Sequence, residues 1–440
     1  MELKKLVGVL AVAGCVVPGA ALATNGYFSH GYGMKAKGMA GASTALAADA
    51  FGGASNPASM VWVGDRLDIG LDWFSPIRNT ARSGSSAGNN INGSADSGSE
   101  NFFIPEFGYN KLLNPNLSLG VTVYGNGGMN TDYSGGQIPA ASACVGFNPA
   151  GAAGAPYNLL CGSGKLGVDL MQLVVAPTAA YKVAPNHSIG VSPLFGYQRF
   201  KAEGLQGFSG FSSDPTKLTN NGYDSATGWG VRVGWMGKIS DNITLGAAYS
   251  SKINMSKFDK YKGLFAEQGG FDMPENYNLG IALKAAPNVT VALDYQRINY
   301  GGVKSVSNPS TSGGTAIPNT LGGDNGRGFG WSDVDVWKIG LEYQYNDKLT
   351  MRAGYSHTSN PIQARDVTFN IIAPGVIQDH YTLGLTYNLD KSSELTAAYM
   401  HAAKNSVTGN SLFSTWIGSA GNEKIEMYEN SLGVAYGMKF

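Results

Sequence analysis

In one segment after another, the chain alternates an apolar residue with a polar or small one. Leu67, Ile69, Leu71 and Trp73 share one face, and Asp68, Gly70 and Asp72 the other. Tyr277, Leu279, Ile281 and Leu283 oppose Asn278, Gly280 and Lys284. Trp337, Ile339, Leu341 and Tyr343 oppose Lys338 and Glu342, and Tyr381, Leu383, Leu385 and Tyr387 oppose Thr382, Gly384 and Thr386. A period of two with one apolar face is the mark of a strand. An amphipathic helix would space its apolar residues by three and four. Short polar reversals join the segments in pairs: Leu113-Asn114-Pro115-Asn116, Ala184-Pro185-Asn186, Ser240-Asp241-Asn242, Ala286-Pro287-Asn288, Tyr345-Asn346-Asp347 and Leu389-Asp390-Lys391. Pro, Asn and Asp are the residues that tight turns need. Between the pairs lie long Gly/Ser/Asn-rich stretches near 75–100, 127–168, 203–222, 257–270, 301–331, 358–375 and 404–424. Short turns on one side and long loops on the other predict an all-β chain, a transmembrane antiparallel β-barrel of about 14 strands with both ends in the periplasm. The last segment, Leu432 to Phe440, has one apolar face and a terminal Phe, as a closing lipid-facing strand should.

Composition supports this reading. Charged residues are 14% of the chain, against roughly 25% in soluble domains. Gly is 62 of 440, with 22 Tyr and 18 Phe. No run after the N-terminus is long and apolar enough for a spanning helix, which leaves a closed barrel as the way to cross a bilayer. A secreted β-sandwich or propeller also alternates, but explains neither the low charge nor the asymmetry of turns and loops.

The N-terminus reads as an export signal. Lys4 and Lys5 precede an apolar run from Leu6 to Val17, and Ala21-Leu22-Ala23 forms an A-x-A cleavage site. A signal peptide over residues 1–23 makes Thr24 the expected start of a mature chain of 417 residues (440 − 23), with 29 basic (31 − 2) and 30 acidic (31 − 1) side chains. That balance points away from nucleic acid. Cys15 would leave with the signal. Cys144 and Cys161, in one predicted external loop, would be bridged in an oxidising compartment; two free thiols is the other possibility.

Residues 24–60 do not alternate. Small residues dominate Ala40 to Ala48 and Gly52 to Ala58, with Tyr27, Phe28 and Met34 as apolar anchors. A barrel of this size needs filling, and a hatch (24–60) inside a barrel (61–440) is the division expected; a periplasmic tail is the alternative.

The order of signal peptide, Gly/Ala-rich segment, Asn56-Pro57-Ala58 and a first strand with a Trp carries a family resemblance. So does Leu264-Phe265-Ala266-Glu267-Gln268-Gly269 followed by Gly270-Phe271. Over essentially the whole mature chain the sequence resembles the FadL-type outer-membrane transporters of long-chain fatty acids and other hydrophobic compounds. The resemblance implies a hatch marked by Asn56, Pro57 and Ala58 and an apolar docking groove on the third and fourth long loops. By position and type, Leu205, Phe208, Phe211, Leu264, Phe265 and Phe271 are its expected contacts. It also implies a kink in the third strand, which would run from Asn116 to about Gly128. Gly125, Gly127 and Gly128 mark the expected lateral opening, since Gly is where strands bend. Inward cations would be Arg232, Lys284, Lys338 and Arg352. They could meet a carboxylate ligand, but the favoured expectation is pairing with Asp294, Glu342 and Asp72.

The implied function is uptake of long-chain fatty acids or other hydrophobic molecules by groove docking, hatch movement and lateral exit through the wall. The expected partners are those molecules, outer-membrane lipid and lipopolysaccharide, and the barrel assembly machinery, for a monomer with no cofactor, metal or nucleic acid. The rivals are a general porin, a surface receptor and an outer-membrane lipase-type enzyme. The five His are scattered, and the one G-x-S-x-G match, Gly84 to Gly88, sits in a Ser/Gly-rich loop rather than on a strand-to-helix turn.

Overall fold

The computed structural model describes residues 25–440 apart from 152–153 and 312–319. The expected signal peptide lies outside the described residues. Fourteen long strands among these residues form one antiparallel sheet. In chain order they are β1 (Arg66–Ser83), β2 (Phe102–Asn114), β3 (Leu117–Tyr133), β4 (Leu166–Ala184), β5 (His187–Glu203), β6 (Asp224–Ser240) and β7 (Ile243–Ser250). They continue as β8 (Asn276–Ala286), β9 (Val289–Ile298), β10 (Val334–Gln344), β11 (Leu349–Thr358), β12 (Asp379–Asn388), β13 (Ser393–Asn410) and β14 (Asn422–Lys439). Each pairs with its sequence neighbours, and β14 returns to β1 from Arg66↔Lys439 to Ser83↔Asn422. The sheet is therefore closed, which satisfies the backbone without water in the hydrocarbon layer.

The polarity is that of a membrane barrel. Ile69, Leu71 and Trp73 face outward and are exposed, while Asp68, Asp72 and Arg78 face the lumen and are buried. Trp337 and Leu383, on the same outward parity, are 63% and 62% exposed. No helix among the described residues is long and apolar enough to cross a membrane. The predicted tight turns fall at 115–116, 185–186, 241–242, 287–288, 345–348 and 389–392.

The strands reach further outward than alternation suggested. The loops expected from 75, 127 and 404 begin only after Ser83, Tyr133 and Asn410, and β3 ends at Tyr133 rather than near Gly128. Beyond the hydrocarbon band the outward residues need not be apolar, so the pattern fades while the ladder continues, as in Thr408↔Lys424.

Residues 25–65 fold inside the lumen around a short helix, α1 (Met34–Lys37), and two 3₁₀ turns, Gly52–Ala54 and Pro57–Trp62. The last turn runs past the expected hatch boundary at residue 60. Small wall residues let this segment pack closely. A Cβ at Gly190 on β5 would lie 2.4 Å from the Pro57 carbonyl carbon, and one at Gly246 on β7 would lie 2.1 Å from the Thr44 oxygen.

The outward faces generate a stability prediction. Leu383→Arg places a cation mid-strand against lipid and should lower folding stability by about 2–4 kcal/mol. Urea-dependent folding into phospholipid vesicles checks this.

Candidate functional site

The Asn56-Pro57-Ala58 motif is a helix start wedged against the wall. The Asn56 side chain caps the 3₁₀ turn by accepting from the Ala58 N–H at 3.1 Å, with Pro57 at the first helical position. Its Nδ2 donates to the carbonyls of Thr44 (2.8 Å) and Trp235 on β6 (2.9 Å). Ser188 on β5 donates to the Ala58 carbonyl at 2.7 Å.

Charge pins the opposite side of the hatch. Lys37, wholly buried, reaches Asp72 on β1 at 2.8 Å and Glu106 on β2 at 2.7 Å. Lys35 and Arg66 share Glu394 on β13 at 2.6 and 2.7 Å. The lumen charges therefore differ from the expected wall-to-wall pairing. Arg352 does pair with Glu342 at 2.7 Å. Asp72 instead takes the hatch lysine, and Asp294 accepts the amide N–H groups of Ser43 and Thr44, both at 2.8 Å. Arg232 donates to the Gly53 carbonyl at 2.7 Å, and Lys338 to the His30 carbonyl at 3.2 Å. Lys284 is exposed at the end of β8, beside the Asn242 turn. Wall groups engage the hatch because buried backbone donors and acceptors need partners.

The third strand leaves its neighbour. The β2–β3 ladder runs from Asn114↔Leu117 to Phe107↔Val123 and stops. Above that, β2 stays paired to β1 and β3 to β4. The next bridge across the seam is Ser97↔Tyr133, from the segment ahead of β2, near the outer rim. Between these limits β3 is buried on both faces from Tyr124 to Thr131. Its register with β4 slips between Gly125 and Gly127, the sign of a bulge. The hatch fills the missing position. Ser29 N–H donates to the Asn126 carbonyl (3.1 Å), and Gly128 N–H donates to the Tyr27 carbonyl (3.2 Å). A Cβ at Gly127 would sit 1.7 Å from that Tyr27 oxygen, so only Gly permits this approach.

Tyr27 stands in an aromatic cage. Its ring centroid lies 5.6 Å from Phe28, 6.0 Å from Phe271, 5.1 Å from Tyr300 and 5.8 Å from Trp331. Tyr300, in the loop after β9, donates to the Asn25 carbonyl at 2.5 Å and accepts from the Tyr27 N–H at 3.1 Å. Burial pushes the Tyr300 phenol well above its usual range, so it stays a donor.

Above the cage the external loops enclose an apolar cavity of about 40 Å³ lined by Leu205, Phe208, Leu264 and Phe265 together with Leu160, Phe200, Leu321, Phe329, Phe369, Ile372, Ser305 and Arg327. At ~10–15 Å³ per water, this is room for only a few waters. Two of the expected groove contacts lie elsewhere. Phe211 is half-buried and packs on Trp416 at 4.4 Å. Phe271 sits below the cavity, 4.8 Å from Phe265, and leads from its wall to Tyr27. Cys144 and Cys161 are joined by a disulfide. It staples the loop between β3 and β4, where the next residue back, Leu160, enters the cavity wall.

Sequence reasoning missed Arg327, Phe369 and Ile372, which reach the cavity from loops far along the chain and carry no local signal. It also missed Lys37, although Lys35 and Lys37 are the only cations in a nearly charge-free hatch segment.

The outer membrane protein transport protein family (OMPP1/FadL/TodX) matches residues 158–440. No curated protein matches the chain. Among solved structures, the toluene transporter TodX of Pseudomonas putida is similar over 95% of this chain and 100% of its own, with 19% identity and a TM-score of 0.67. A FadL homologue of Pseudomonas aeruginosa is similar over 94% and 100%, with 14% identity and a TM-score of 0.66. The toluene transporter TbuX of Ralstonia pickettii is similar over 93% and 99%, with 18% identity and a TM-score of 0.61. At these identities the likeness is one of fold.

The Lys37 triad yields a second prediction. Lys37→Met leaves Asp72 and Glu106 buried without their cation, which should weaken hatch docking by about 3–5 kcal/mol. Faster hydrogen exchange at residues 30–50, with barrel amides unchanged, is the expected result.

Proposed function

The chain belongs to the outer membrane protein transport protein family (OMPP1/FadL/TodX), bacterial outer-membrane transporters of hydrophobic compounds, and from that premise we propose that it takes up long-chain fatty acids or monoaromatic hydrocarbons by docking in the loop cavity, displacing the hatch N-terminus and leaving sideways through the gap between β2 and β3. The observation that carries this reading is a continuous apolar trail. It runs from the cavity through Phe265 and Phe271 to Tyr27, which is seated on the unpaired stretch of β3.

The physics favours that route over a watery pore. Each CH₂ removed from water is worth about 0.8 kcal/mol, so an alkyl chain that enters an apolar cavity has no incentive to leave into an aqueous channel. Exit into lipid keeps it in an apolar medium throughout. A general porin needs an open lumen, whereas here the hatch is tied to β1, β2, β5, β6, β9 and β13. In this reading the Gly125–Gly128 bulge is the opening, and Asn56-Pro57-Ala58 fixes the hatch against β5 and β6. The protein would work as a monomer, folded by the barrel assembly machinery and set in outer-membrane lipid and lipopolysaccharide.

Uptake of labelled oleate, toluene and a small sugar by cells lacking their own fatty-acid transporter tests the proposal. Oleate or toluene entry should rise severalfold with the protein present, with sugar entry unchanged. Gly127→Val, which collides with the Tyr27 carbonyl, should change hydrophobic uptake at least severalfold while leaving heat-resistant assembly intact. Faster sugar entry, or no change with any label despite a folded barrel, would exclude this function.

A further inference from the structure

One side chain crosses above the gap. Arg78 points inward from β1 and is almost wholly buried. Its Nη1 donates to the Asn130 carbonyl on β3, and its Nη2 to the Ser99 carbonyl just ahead of β2. Together with the Ser97↔Tyr133 bridge, these contacts hold the upper end of the gap. Nη2 also donates to the Pro76 carbonyl at 3.5 Å, and all three acceptors are neutral. Glu429 on β14, meanwhile, is fully buried, and neither carboxylate oxygen has a hydrogen-bond partner. The Arg78 Nε is also without one.

Register places the two side chains within reach. Glu429 is paired with Pro76, and Arg78 with Met427, so Arg78 and Glu429 are diagonal neighbours on the lumen face. Such neighbours lie ~7–8 Å apart at their backbones, close enough for long side chains to meet. A guanidinium bound to carbonyls beside an unpaired carboxylate has a second seat available, since an ionised pair is the stronger hydrogen-bonding arrangement. We propose that Arg78 is the latch of the β2–β3 opening. It holds β3 to the wall in this conformer and swings to Glu429 when the wall parts. The role rests on reading the gap as the exit.

The latch is also connected to the cavity. Thr131, next to Asn130, donates its hydroxyl to the Ile372 carbonyl at 2.9 Å, and Ile372 lines the cavity. A molecule that spreads the cavity walls therefore pulls on the stretch of β3 that Arg78 holds.

Nitroxide labels at Phe103→Cys on β2 and Asp132→Cys on β3 report the gap width by pulsed electron spin resonance, with the mature chain from Thr24 reconstituted in phospholipid vesicles. Cys144 and Cys161 are bonded to each other and take no label. A short distance should dominate in the parent, with a minor longer one. Arg78→Met should raise the longer population severalfold, and Glu429→Gln should lower it. Heat-resistant gel migration reports folding. Arg78→Lys, which keeps the charge but cannot span two carbonyls, carries the same test where the methionine variant does not assemble. A distance distribution in the Arg78 variants unchanged from the parent overturns the latch. A longer population undiminished in Glu429→Gln overturns Glu429 as the second seat. Uptake by the same variants separates this from the function itself: a gap that widens without altering oleate or toluene uptake upholds the latch and overturns lateral exit.

Discussion

Within a bilayer, every backbone N–H and C=O needs a partner from the chain itself, and β3 above Val123 has lost the neighbour that would supply half of them. The rest of the lumen is arranged around that deficit. Ser29 and Tyr27 bond to Asn126 and Gly128 in place of β2, so the start of the hatch acts as a stand-in strand. The gap is tolerable only while these bonds last, or while something else takes the exposed groups. This ties the wall's integrity to the position of residues 25–29 more directly than any side-chain contact could.

Two kinds of force then set the hatch. On the side of β5 and β6 it is held by close packing and by the Asn56 cap, where a single Cβ on Gly190 would intrude. On the side of β1, β2 and β13 it is held by buried ion pairs, Lys37 with Asp72 and Glu106, and Lys35 with Glu394. Packing is short-ranged and is lost at once when surfaces part. Buried ion pairs are costly to break singly, because each leaves an uncompensated charge. Lys37 also contacts β2 at Glu106, just above Phe107, where the β2–β3 ladder ends. The firmest tie of the hatch thus lies beside the weakest part of the wall.

The cavity, Phe271 and Tyr27 form an apolar line through a molecule whose lumen is otherwise polar. Its narrowness is informative. The loops close on one another through ring contacts such as Phe208 with Phe369 at 5.2 Å. These contacts are apolar and non-directional, and an apolar guest can replace them without leaving polar groups bare.

Much of this was legible in the amino-acid order. Alternation, tight turns and low charge determined a membrane barrel, its strand number and its outward face, because lipid on one side and polar lumen on the other act on every residue of a strand by parity. The resemblance at Asn56-Pro57-Ala58 and around Leu264 pointed to the family. Tyr27, Phe28 and the glycines from Gly125 to Gly128 stood out by composition, since small residues signal close approach without saying what approaches. Other features depended on closure of the sheet. That Lys37 meets Glu106, that Asp294 serves the hatch, that Phe271 faces Tyr27 rather than the cavity, and that Arg78 lies beside an unpaired Glu429 are all contacts between residues dozens to hundreds of positions apart. Parity tells a residue which side of the wall it faces; only the curvature and register of the closed barrel decide whom it meets there.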